Sequence, residues 1–294
     1  MVVGSAMYEH GRKCWFCGNY GLSRLGDKRV WCSKCRKKYS LIKLKRDLKV
    51  LYYFYLEENA RKCARELNLN YKRVAKRYEG YREAILVYSE KEFKKLRGLV
   101  EVFEKLAGFS THRFVRQDKT LADESYSGGR RKGNRGRGAF NKQAVFGILE
   151  LNGRIYTTTV PDVSAKTLFE HIKQKTRKSS VFYTDDFKSY KDLKQYGKHN
   201  RVKHSKTFGK GHERFACWRN VVVQRLASRC SDNHINRIEG FWSFAKERFH
   251  KYHGINRKNY PEYVKKMEFR FNHRNEQLYP LLISTIRQFG PKMP

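Results

Sequence analysis

The stretch Asn141 to Pro161, "NKQAVFGILELNGRIYTTTVP", decides how the larger part of this chain is read. Two apolar and β-branched runs flank Asn152-Gly153, a dipeptide suited to a tight hairpin turn, so both runs read as antiparallel strands. Upstream, "TLADESYSGG" (120–129) reads as a further strand, which makes three adjacent antiparallel strands. Downstream, Leu168, Phe169 and Ile172 share one face of a helix expected from Ser164 to about Lys175. The apolar run "SSVFYTDD" (179–186) then ends in acid. Three strands, a helix and a fourth strand open a ribonuclease-H-like fold, an α/β class with a mixed five-stranded sheet and flanking helices.

In that fold the first and fourth strands lie side by side, about 4.8 Å apart. Asp123 on one and Asp185 at the end of the other would repel unless a divalent metal lay between them. Their neighbours Glu124 and Asp186 point to opposite faces by strand alternation. A third acid stands in "HINRIEGFWSFAK" (234–246), where a helix beginning near Asn236 gathers Ile238, Phe241, Trp242, Ala245 and Phe249 on one side. Glu239 and Lys246, seven residues apart, stack on its flank. Three carboxylates in this order suit two Mg²⁺ or Mn²⁺ ions about 3.5–4 Å apart, the arrangement for in-line displacement at phosphorus. Taken singly, each acid reads more readily as a strand-end, turn or surface ion-pair residue; together, in this order, the three read as a site.

Composition points to a polyanion as partner. The chain of 294 residues carries 65 Lys and Arg against 28 Asp and Glu, a formal charge of +37, with 19 Tyr and 19 Phe interleaved. Such self-repulsion is relieved by nucleic acid. Between Gly128 and Gly138 the run "GGRRKGNRGRG" holds five positive charges and five glycines, suited to tracking phosphates through Arg130, Arg131, Lys132, Arg135 and Arg137. His204, His212 and His253 show no metal-ligand spacing, and Cys217 and Cys230 read as unpaired thiols. No apolar run approaches a membrane span and no signal peptide opens the chain, so an intracellular protein is expected, in cytoplasm and nucleoid or in a nucleus according to host.

The N-terminal third has a different grammar. Cys14-Trp-Phe-Cys17 and Cys32-Ser-Lys-Cys35 are two CxxC knuckles with fourteen residues between them, the pattern of a structural Zn²⁺ site with all four positions filled by protein. The segment is short and polar, so metal is expected to supply most of its folding energy. Helical spacing then follows from Leu41, with Asn59 and Asn70 as N-caps. "NARKCARELNLNYKRVAKRY" (59–78) reads as a helix-turn-helix that exposes Tyr71, Lys72, Arg73, Lys76 and Arg77 to DNA, with Cys63 as a small core residue. A third helix is expected from about Glu90 to Leu106. The resulting division is 1–42 zinc ribbon, 43–112 helix-turn-helix region and 113–294 catalytic domain.

The stretches "DESYSGGRRKGNRGRG", "YTDDFKSY", "HINRIEGFWSFAK" and "FRFNHR" (269–274), in this order, resemble the DDE transposases of small insertion sequences with an ISXO-type catalytic domain, related to the Merlin transposases. The resemblance spans about Lys119 to Arg274. It implies binding of terminal inverted repeats, Mg²⁺-dependent cleavage at the element ends and joining of the 3′-hydroxyls to target DNA. It also implies a homodimer or higher homo-oligomer on double-stranded DNA. By carry-over Asp123 and Asp185 are the first two catalytic acids and Glu239 the third, with Lys246 as its partner. Some relatives use Asn at the third position, which here would be Asn236. The competing functions are a non-catalytic zinc-ribbon and helix-turn-helix regulator derived from such an enzyme, and a nuclease of ribonuclease-H type without strand joining.

Overall fold

The computed structural model describes residues 13–92, 99–107, 143–150, 153–184, 188–201, 236–252 and 255–291. The chain divides into two compact units: Met1–Glu92 with Lys265–Pro294, and Phe93–Val264.

In the first unit, β1 (Leu22–Arg24), β2 (Arg29–Cys32) and β3 (Lys38–Ser40) form an antiparallel sheet in chain order. Ser40 caps α1 (Leu41–Tyr55), its side chain accepting from the Lys43 backbone N–H. Asn59 caps α2 (Ala60–Glu66) in the same way through the Lys62 N–H. After a short turn, the Asn70 side chain accepts from the Lys72 N–H at the start of α3 (Tyr71–Glu92). These side chains satisfy backbone donors that a helix start leaves without partners. The apolar faces of the three helices close around Leu44, Leu48, Leu51, Phe54, Val74, Tyr78, Tyr81 and Ile85, and Cys63 is buried among them.

Two features of this unit differ from the sequence reading. The knuckles do not stand alone: Trp15, Val30 and Tyr39 belong to the same core as the helices, and the Tyr39 hydroxyl accepts from the Trp15 backbone N–H at 3.0 Å. The chain end also belongs here. Tyr279, Leu282, Ile283 and Ile286 of α7 (Leu278–Phe289), with Phe269 of α6 (Tyr260–Asn272), complete that core. The sequence reading placed one domain over 113–294; in the structure the boundary between the compact units falls inside α6, and the apolar face of α7 is buried against α1 and α3.

Among the described residues the second unit is built on a mixed sheet of five strands. Its strands are β4 (Leu99–Ala107), β5 (Gln143–Glu150), β6 (Ile155–Val160), β7 (Val181–Thr184) and β8 (Lys198–Arg201). They lie in the order β6-β5-β4-β7-β8, with β6, β5 and β4 antiparallel and β4, β7 and β8 parallel. The hairpin between β5 and β6 turns at Gly153, whose φ of 92° favours glycine. Ser164 caps α4 (Ala165–Lys175) through the Thr167 N–H.

Leu99–Ala107 is the central strand, where a helix was expected from Glu90 to Leu106. The apolar positions Leu99, Val100, Phe103 and Leu106 fit a helical period as well as a strand, and local spacing could not choose between them. Eight register pairs with β5, from Val100↔Glu150 to Ala107↔Gln143, and three with β7 decide for the strand. The stretch 120–129, expected as the first strand, lies outside the described residues.

Alternation along β5 separates the two faces of the sheet. Phe146 and Ile148 join Val102, Leu168, Ile172 and Phe182 in one core. On the other face Gly147 receives the side chains of Ile238 and Trp242 from α5 (Asn236–His250).

Candidate functional site

The four cysteines converge as their spacing requires. Their sulfurs all lie within 4.8 Å of one another, with Cys14–Cys35 at 3.6 Å and Cys17–Cys32 at 3.5 Å. Four thiolates at about 2.3 Å from a tetrahedral Zn²⁺ stand about 3.8 Å apart, so the donor set fits that ion. The two knuckles share one backbone device. Gly18 N–H bonds to the Cys14 carbonyl and Arg36 N–H to the Cys32 carbonyl, with φ of 72° at Gly18 and 56° at Arg36. This left-handed turn lets backbone N–H groups face sulfur. At Cys32 the Cys35 N–H is the largest influence, and the thiol is lowered to about 6, which favours the metal-binding thiolate.

The basic residues of the helical hairpin separate into two groups. Tyr71, Lys72, Arg73 and Lys76 are exposed on the first turns of α3, and the Arg61 guanidinium lies 5.7 Å from the Tyr71 ring centre. Arg77, expected on the same surface, is instead half-buried and bonds through Nη2 to Asp47 Oδ2 at 2.8 Å. It sits one turn beyond Arg73, where α3 crosses α1, so its charge is already neutralised within the fold.

Of the three expected catalytic acids, Glu239 is described. It lies half-buried in the first turn of α5, and Lys246 is half-buried two turns further on. Ile238, Phe241, Trp242, Ala245 and Phe249 are all buried, the face expected from the sequence. A Cβ added at Gly147 would stand 2.9 Å from the Trp242 ring and 3.4 Å from Ile238 Cδ1, so the absence of a side chain there lets α5 seat against β5. Asn236 is the first residue of α5. Asp185 follows directly on the last residue of β7, Thr184, and lies outside the described residues, as do Asp123, Arg130, Arg131, Lys132, Arg135 and Arg137. The Thr184 hydroxyl bonds His199 Nε2 at 2.8 Å, joining β7 to β8 beside that strand end.

Sequence reasoning missed the charged groups of α6. Lys265 and Glu268 are buried and paired at 3.0 Å, and Lys265 also reaches Glu90 at 3.3 Å. Arg270 pairs with Glu57 and donates to the carbonyls of Phe54 and Tyr55. His273 lies between Glu92 at 3.2 Å and Glu276 at 3.0 Å. The stretch "FRFNHR" therefore has a packing role in the first unit. The available signal was a basic and acidic alternation inside an apolar helical period, Lys265-Lys-Met-Glu268-Phe-Arg270.

Residues 96–272 match the ISXO2-like transposase domain model, and the chain belongs to that family. A transposase-like protein of Haemophilus influenzae, otherwise uncharacterised, is 33% identical over 121 residues, which is 40% of this chain and 81% of that one. Among solved structures, a Mos1 transposase paired-end complex with left transposon end aligns over 83% of this chain and 80% of the other at 11% identity and a TM-score of 0.22. The Mos1 mariner paired-end complex with Mn aligns over the same shares at 10% identity and a TM-score of 0.23. Family membership rests on the sequence match. Among the described residues no helix is long and apolar enough to cross a membrane.

Proposed function

We propose that the chain is the transposase of a small insertion sequence. In this reading it binds the terminal inverted repeats of its element, hydrolyses the DNA at the ends and joins the freed 3′-hydroxyls to target DNA. The observation that carries it is the family match over 96–272 together with Glu239 on a helix whose next turn, at Trp242, is seated on Gly147 of the sheet. A carboxylate on such a helix is held by packing, as a metal ligand at a phosphoryl-transfer site needs to be.

The second unit is read as ribonuclease-H-like, a reading supported by the strand order and by the change from antiparallel to parallel pairing at β4. Asp123, Asp185 and Glu239 would hold divalent Mg²⁺ or Mn²⁺, which when bound polarises the phosphate and stabilises the leaving 3′-oxygen. Hydrolysis forms a bond from water oxygen to phosphorus and breaks the bond from phosphorus to the 3′-oxygen. Joining repeats that exchange with the new 3′-hydroxyl as nucleophile. Lys246 lies two turns along α5 from Glu239 and is assigned to the DNA phosphates. In the first unit the four-cysteine cluster takes structural Zn²⁺, and α2 with α3 reads DNA through Tyr71, Lys72, Arg73 and Lys76. Two element ends handled together require at least two copies of the chain.

The test is a strand-transfer assay with purified protein, a labelled duplex copied from the DNA flanking the gene, a target plasmid and Mg²⁺. Joined product with wild type, and end binding without product for Glu239→Gln, is the expected result. Cleavage that survives Glu239→Gln moves the third ligand to Asn236. End binding without cleavage by wild type in both Mg²⁺ and Mn²⁺ leaves the non-catalytic regulator.

A further inference from the structure

Helix starts favour acids, since the first turn carries the positive end of the helix dipole. Neither α1 nor α3 has an acid there. Each instead has a cation at its third position, Lys43 on α1 and Arg73 on α3, and both residues are exposed. One turn further along each helix the two are tied together, because Asp47 on α1 accepts from Arg77 on α3 at 2.8 Å. The Tyr81 hydroxyl reaches the Asp47 backbone carbonyl from the next turn of α3. Arg46, beside Asp47 in the chain, is half-buried.

Arg77 bonds the buried Asp47 directly, while Arg46 is its neighbour in the chain, Lys43 precedes it by one turn of α1 and Arg73 precedes Arg77 by one turn of α3. Burial raises the Asp47 carboxyl above its ordinary value, and the fields of Arg77, Arg46, Arg73 and Lys43 act in the opposite direction. One acid neutralises one cation, which leaves three positive charges, Lys43 and Arg73 on the first turns of α1 and α3 and Arg46 on the second turn of α1. Among the described residues no acid lies within ion-pair distance of Lys43, Arg46 or Arg73. Lys43 and Arg73, on first turns, disfavour their own helices, a cost that an external polyanion removes.

We infer that Lys43 and Arg46 of α1 and Arg73 of α3 form a single clamp for the phosphates of double-stranded DNA, held in place by the Asp47–Arg77 pair. This rests on the reading of the first unit as a DNA-binding unit and extends it to α1, which no base-reading role includes. In this arrangement α1 holds the backbone and the exposed start of α3 lies beside it. The clamp contributes affinity without sequence preference, because phosphates carry no sequence information.

The experiment measures binding of the full, zinc-loaded chain to two labelled duplexes, one copied from the element end and one unrelated, across a salt series. Each phosphate contact contributes about 0.9 to the slope of log affinity against log salt. Lys43→Gln with Arg46→Gln is expected to lower that slope by about 2 on both duplexes, with the preference for the end duplex unchanged. Lys43→Arg with Arg46→Lys keeps the charges and is expected to restore the slope. Because Arg46 is half-buried, Lys43→Gln alone is measured as well, with a slope change of about 1.

An unchanged slope in Lys43→Gln and in the double variant, where wild type binds the end duplex, overturns the clamp and leaves the transposase reading in place. Loss of end preference with an unchanged slope overturns it also, since α1 would then read bases. Failure of wild type to bind either duplex overturns both readings.

Discussion

The indole of Trp242 lies against Gly147, so close that a methyl group added to the glycine would stand 2.9 Å from the ring. Gly147 is the Cα partner of Phe103 on β4 and Thr157 on β6, in the middle of the sheet. Trp242 is one turn from Glu239. The position of the proposed third acid is therefore coupled to the missing side chain of one glycine. Gly147→Ala is expected to push the outer edge of the indole aside at a cost of about 1–3 kcal/mol. It should reduce cleavage more than end binding. Melting temperature and the two activities measured on one preparation check this, and equal loss of cleavage and binding would contradict it.

Cys32→Ser removes one of four sulfurs that lie within 4.8 Å of one another. The variant is expected to lose bound Zn²⁺, measured by metal content of the purified protein. Trp15, Val30 and Tyr39 share a core with α1, α3 and α7, so destabilisation should spread through the first unit. Hydrogen exchange should rise in Leu44–Phe54 as well as in the knuckles, with Val145–Leu149 of the sheet unaffected.

Leu282 is buried in a core made largely of N-terminal residues, although Ile85, the nearest of them in sequence, lies 197 positions before it. Leu282→Ala is expected to cost about 2–5 kcal/mol. The loss should appear as faster hydrogen exchange in α1 and α3. A loss confined to the second unit would contradict the assignment of the chain end to the first.

Arg270 holds the end of α1 through the carbonyls of Phe54 and Tyr55 and pairs with the half-buried Glu57. Arg270→Met removes that pair and the two bonds to the carbonyls, and is expected to cost about 1–3 kcal/mol. Combining it with Glu57→Gln should recover part of that loss. Additive destabilisation in thermal melts would show that the two groups do not interact.

His171 on α4 packs near the Phe146 ring, and burial first, then the nearby Lys175, lowers its pKa below the ordinary histidine value. The unfolded chain therefore takes up this proton more readily than the folded one. The associated stability is fully present above about pH 6.5 and is lost as pH falls towards the lowered folded value. Thermal melts of wild type and His171→Leu over that range should show a smaller acid loss in the variant.

Local chemistry made much of this protein legible in its sequence. Two CxxC pairs announced four converging sulfurs, Asn59 and Asn70 marked helix starts, and the apolar face of α5 was visible in its spacing with Glu239 beside it. Each of these depends on residues a few positions apart, or on a donor set that one ion would gather. Tertiary structure decided three other matters. Leu99–Ala107 satisfies helix and strand spacing equally, and only pairing with β5 and β7 made it the centre of the sheet. Arg77 reads as one more exposed cation until α1 brings Asp47 to within 2.8 Å of it. The apolar stripe of α7 marks a buried helix but does not name its partner, and the choice of the N-terminal core is a contact across most of the chain. Periodicity reports that a face is buried; which surface covers it depends on pairings between residues far apart in sequence, and those exist only once the chain has folded.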